Sequence, residues 1–127
     1  GIAEQNAGLE QAARAFAERL GSYSNQSNFE NIESLYAFMT DRLRSTMQAF
    51  VATQRRATDS SAPYQGVTTR VVAITLNFKN NREAEFTLAT QRSETQVAGI
   101  AKVYYQELVL AFQNAQGQWK VNEATWK

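Results

Sequence analysis

Five glutamates, Glu83, Glu85, Glu94, Glu107 and Glu123, fall in the half of the chain whose residues alternate as strands do. A carboxylate serves as a general base near neutral pH only where an apolar pocket lifts its pKa. Alternation sets Glu85 and Glu107 opposite the apolar positions of their strands, so both are expected to point away from the core. Glu107 is the first of them to test as a base, and a solvated or interface charge on an outer sheet face is its plainer reading. No residue is assigned a catalytic role, and the chain is read as a binding protein rather than an enzyme. Histidine and cysteine are absent, which removes imidazole and thiolate chemistry, disulfides and most zinc or iron sites together. Carboxylate-only metal binding remains chemically open, but no metal site and no cofactor is assigned.

Aromatic residues offer a second kind of chemistry. Tyr36, Phe50, Tyr104 and Trp119 form a candidate pocket, with Tyr105 beside them in sequence, whose ring faces and phenol hydroxyls could grip a small apolar ligand. The same spacings are those of an ordinary core. Asn25-Gln-Ser27 matches a glycosylation acceptor, a pattern common by chance. Asp41 with Arg42 and Arg44, and the pair Arg55-Arg56, read as solvated helix faces or modest surface ion pairs.

With 13 Lys+Arg against 12 Asp+Glu and no dense basic cluster, nucleic acid is not an expected partner. The 127 residues, 43% hydrophobic and 20% charged, suit one globular domain over residues 1–127, large enough to bury roughly two thirds of its unfolded surface without a staple. No run of 18 or more apolar residues and no signal peptide is present. Gly1 reads as a residue left by tag removal in front of a helical pattern already under way, so a membrane anchor upstream is expected.

The elements that must position these residues follow from periodicity. Leu9, Ala13, Phe16 and Leu20 recur at helical spacing between Glu4 and Leu20, and Gly21 ends that helix. Ser27 and Glu30 match a capping box for a second helix that buries Phe29, Ile32, Leu35, Tyr36 and Met39. Thr40 and Asp41 then cap a third, running to about Arg56 with Leu43, Met47, Phe50 and Val51 inward. The turn formers from Ala57 to Gly66, with the only proline, mark the crossover to sheet. From Val67 the period becomes two, with Val72, Ile74, Leu76 and Phe78 on the apolar face. Asn80-Asn81 is read as a left-handed hairpin turn into a strand that buries Ala84, Phe86 and Leu88. The polar stretch from Thr90 to Ala98, with a bend at Gly99, leads to a long strand from Val103 to Phe112. There Tyr104, Leu108, Leu110 and Phe112 share a face. A turn over Asn114–Gly117 and a last strand from Gln118 to Trp126 complete an α+β chain, three N-terminal helices packed on a curved four-stranded antiparallel sheet.

The Phe16-containing first helix, the helix pair from Ser27 to Arg56, and the ending Gly117-Gln-Trp-Lys-Val121 followed by Trp126 resemble the nuclear-transport-factor-2-like superfamily, with its cone-shaped, cystatin-like fold. In layout the chain is most similar to extracytoplasmic domains of membrane-anchored bacterial proteins, including inner-membrane scaffolds of type IV secretion and conjugation. That resemblance implies a protein–protein interaction or assembly module outside the cytoplasmic membrane, binding a protein partner or a second copy as a dimer, and touching the membrane only through an upstream anchor. The enzymes of the superfamily imply an alternative, a pocket protein or isomerase-like enzyme with an inward carboxylate beside Tyr36 or Tyr104. A third reading is a tethered regulatory domain whose sheet face binds a peptide or its own copy.

Overall fold

The structure, a computed structural model, describes residues 2–96 and 99–127, the side chains of 2–5 excepted. Helix α1 (Ile2–Leu20) is followed by a two-residue strand β1 (Tyr23–Ser24), a single helical turn α2 (Glu30–Glu33), a 3-10 turn (Tyr36–Phe38) and helix α3 (Asp41–Ala57). Four long strands follow, β2 (Gly66–Lys79), β3 (Glu83–Thr95), β4 (Ala101–Ala115) and β5 (Gln118–Trp126). They form one antiparallel sheet in the order β1-β2-β3-β4-β5. The fold is α+β, helices on one face of an open sheet. No helix among the described residues is long and apolar enough to cross a membrane.

Helix α1 buries Leu9, Ala13, Phe16, Ala17 and Leu20 against sheet residues Phe86, Leu88, Leu108, Leu110 and Phe112. The start of α3 is fixed to β5. Thr40 accepts the Leu43 amide at 3.3 Å as an N-cap, donates its hydroxyl to Asn122 Oδ1 at 2.9 Å, and its own amide reaches the Val121 carbonyl at 2.9 Å.

Six sequence expectations are corrected. The sheet has a fifth strand, β1, because Tyr23 and Ser24 pair with Val67 and Gly66; two residues are too short to show a period. The second helix is one turn and a 3-10 turn. The Ser27 hydroxyl, instead of capping it, accepts the Ser24 amide at 3.1 Å. Asn28 and Phe29 turn left-handed, at φ 57° and 61°, an uncommon state for a bulky residue. Arg55 holds that turn, donating to Asn28 Oδ1 at 3.0 Å and its carbonyl at 2.7 Å while pairing with Glu33 at 2.6 Å. Residues Phe29, Ile32, Leu35 and Met39 are buried all the same.

In β2 the inward set is Val67, Thr69 and Val71, because a bulge between Val71 and Ala73 switches the alternation to Ile74. Val72 and Phe78 are exposed away from that set, while Leu76 keeps to the inner row opposite Phe86 and is only partly covered there. The Asn80-Asn81 turn has no left-handed asparagine; Asn80 Oδ1 accepts the amides of Arg82 and Glu83 at 2.8 and 2.9 Å instead. The left-handed pair lies at Gln116 and Gly117, φ 57° and 87°, as a tight hairpin requires. Strand β3 runs on through Thr95, so most of the stretch assigned to a polar connection is sheet. Val97 and Ala98, the last of it but for Gly99, lie outside the described residues.

Candidate functional site

The inner face of the sheet is graded along its length by register. At the hairpin end the rows are apolar, Leu76–Phe86–Leu110–Ala124 and Ile74–Leu88–Leu108–Trp126. Toward the other end they become polar: Val71–Thr90–Gln106, then Thr69–Arg92–Tyr104, then Val67–Glu94–Lys102. Helices α1 and α3 cover the apolar rows, and a cavity of about 680 Å³ remains at the polar end, between β1, the α2 turn and the sheet. Tyr23, Phe29, Arg92, Glu94 and Tyr104 are among the residues that line it.

Arg92 is the residue around which this end is built. It is 6% exposed. Its Nε donates to Thr69 Oγ1 at 3.0 Å, Nη1 to Gln106 Oε1 at 2.8 Å, and Nη2 to the Gly21 carbonyl at 3.3 Å. The guanidinium carbon lies 4.0 Å from the centre of the Trp126 ring and 5.8 Å from that of Tyr104, within reach of a cation–π attraction. Thr69 in turn donates its hydroxyl to the Gly21 carbonyl at 2.6 Å, so the end of α1, two strands and the C-terminal Trp126 meet at one charge.

Of the four aromatics singled out by sequence, Tyr104 lines this cavity. Phe50 lies behind it, 6.1 Å edge-on to Tyr23. Tyr36 packs between the main core and the smaller cluster of Phe29, Ile32 and Val51; burial raises its pKa, Glu33 adds to that, and Arg55 opposes it. Trp119 sits elsewhere, under the Lys79 ammonium at 5.4 Å in a depression shared with Leu9 and Phe112. Glu107 and Glu85 are on the outer face, Glu107 exposed and Glu85 bonded to Asn77 at 3.0 Å. Among the described residues no group of three or more His, Cys, Asp or Glu side chains could hold a metal ion.

The outer face of the sheet is the other feature with functional potential. Tyr105 is 72% exposed and Val103 55%, and both face outward from β4. Beside them runs a row across three strands, Arg70 to Gln91 at 2.8 Å and Gln91 to Tyr105 at 3.4 Å. Ala73, Ala89, Val109 and Ala111 keep the middle of the face shallow, and Phe78 stands at its far end.

No protein-family model and no curated protein sequence matches this chain. Solved structures do. CagV, a VirB8 homologue of the T4SS from Helicobacter pylori, matches with a TM-score of 0.66 over 95% of this chain and 97% of its own, at 12% identity. The intermembrane space region of the chloroplast protein ARC6 matches with a TM-score of 0.55 over 98% and 93%, also at 12% identity. The association domain of CaMKII from C. elegans overlaps only 48% of this chain and 47% of its own, at 13% identity and a TM-score of 0.42. At these identities the first two likenesses establish a shared fold, helices covering one face of an antiparallel sheet.

Proposed function

We propose that residues 1–127 form one domain that acts as a non-catalytic protein–protein interaction or assembly module, the extracytoplasmic part of a membrane-anchored bacterial protein with the nuclear-transport-factor-2-like fold. The observation that carries this reading is the outer sheet face, where Phe78, Val103 and Tyr105 expose apolar surface while helices cover the apolar rows of the inner face. Exposed large apolar side chains gathered on one face mark contact surfaces. The shared fold supports the setting: one neighbour is a VirB8 homologue of a T4SS and the other an intermembrane space region.

A photoreactive residue at position 105 of the full-length protein, in its own host cells, is expected to crosslink to protein, either a second copy or another chain. The same residue at exposed Glu10 on α1 is expected to give no adduct. Adducts at 10 and none at 105 would overturn the reading. The cavity beside Arg92 favours a second reading, a small-molecule pocket protein or isomerase-like enzyme, in which the same position leaves ligand binding or turnover unchanged when modified.

A further inference from the structure

Arg92 carries its charge into the interior with no carboxylate paired to it among the described residues. A buried cation is costly to leave uncompensated. The compensation comes from neutral acceptors, Thr69 Oγ1, Gln106 Oε1 and the Gly21 carbonyl, and from the Trp126 ring. Each takes one N–H. One N–H on each of Nη1 and Nη2 is left, and such a pair is what a carboxylate engages bidentately.

We propose that the cavity beside Arg92 binds a small organic monocarboxylate, its carboxylate on the guanidinium and its apolar body against Tyr23, Phe29 and Tyr104. The charges lining the cavity select the ligand class. Arg92 is the only cation among the lining residues, and Glu94 is an anion with Lys102 opposite it in register, so the lining offers one buried positive charge, enough for a single carboxylate and short of what a phosphate dianion or a nucleotide carries. A single negative charge on an apolar frame meets the attraction and the rings together. The volume of about 680 Å³ lies within the range of small-molecule sites. Trp126, 4.0 Å from the guanidinium carbon, reports occupancy through its indole N–H. This site is on the inner face, independent of the outer contact surface.

The test is a titration of isotope-labelled protein with phenylacetate at constant ionic strength, read at the Arg92 Nε–H and Trp126 indole N–H signals in NMR. Saturable shifts at both with a Kd at or below about 1 mM are expected. Phenylacetamide, the uncharged isostere, and sodium chloride are expected to leave both signals in place. Gln54→Glu sets a carboxylate at the cavity wall without touching Arg92 or its partners, and weakens phenylacetate binding at least about tenfold; Thr58→Glu does the same from the end of α3. An absence of saturable shifts in the unmodified protein, equal shifts with phenylacetamide, or unchanged affinity in both folded glutamate variants would overturn the proposal.

Discussion

Asn25 shows how much one side chain can decide. In sequence it heads a glycosylation triplet; in the structure it is 7% exposed and its amide is spent on the crossover loop. Nδ2 donates to the carbonyls of Asp59, Ala62 and Pro63 at 3.0, 3.2 and 3.2 Å, and Oδ1 accepts the Gln65 amide at 2.8 Å. A nitrogen buried in these contacts is closed to a glycan. Within the same loop Asp59 is held below the usual carboxylate range, chiefly by the Ser61 hydroxyl at 2.6 Å and also by the Ser61 amide at 2.9 Å. Asn25→Ala leaves loop carbonyls and an amide unpaired, and is expected to lower stability by about 1–3 kcal/mol in denaturant unfolding. Hydrogen exchange should speed up over residues 58–65 and stay unchanged at the closing hairpin. At Arg92 two sequence signals conflict: the alternation of Ala84, Phe86 and Leu88 extends to Thr90, Arg92 and Glu94, yet the polar side chains argue for a connection. Polarity overrode period, and the polar end of the inner face was hidden by it.

At the scale of elements, what could be read in advance were the parts with unbroken periodicity. Helices α1 and α3 and the hairpin of β4 and β5 form where the spacing of Phe16, Leu43 and Leu110 places them. The misread parts were those where a single residue resets the count, as the bulge after Val71 does in β2, or where left-handed Asn28 and Phe29 replace a helix start. The edge of β2 depends on contacts that no local pattern encodes. Past its two-residue pairing with β1, helix α1 takes the place of a neighbouring strand: Ser22 Oγ accepts the Thr69 amide at 2.9 Å, Glu18 accepts the Val71 amide at 2.9 Å, and Arg14 donates to the Val71 carbonyl at 3.0 Å. Side chains that satisfy an edge also guard it against stray pairing. The close approach is set by Gly21, where an added Cβ would lie 2.8 Å from Thr69 Cβ. Gly21→Ala is therefore expected to destabilise by about 1–3 kcal/mol through overpacking. Gly8, inside α1 with nothing within 4 Å of an added Cβ, provides the control: Gly8→Ala is expected to stabilise by about 0.5–1 kcal/mol. Thermal unfolding of the two variants side by side checks the contrast.

The whole molecule separates two surfaces. The inner face is filled at the hairpin end by Phe86, Leu108 and Leu110 and open at the Arg92 end; the outer face is open throughout and presents Tyr105 and Val103 beside small residues. Register alone places Glu85 and Glu107 on the outer face, among exposed or half-buried side chains rather than in the cavity. The most direct measurement is the size of the native assembly formed by the full-length protein in membrane extracts, with and without the paired substitution Val103→Glu and Tyr105→Glu. Both side chains lie on the outer face and outside the core, so the isolated domain is expected to stay folded, with a modest loss of stability from the added charges beside Glu107. The assembly is predicted to fall to a smaller species. An assembly of unchanged size, in a variant whose domain is folded, would contradict the outer face as the contact surface.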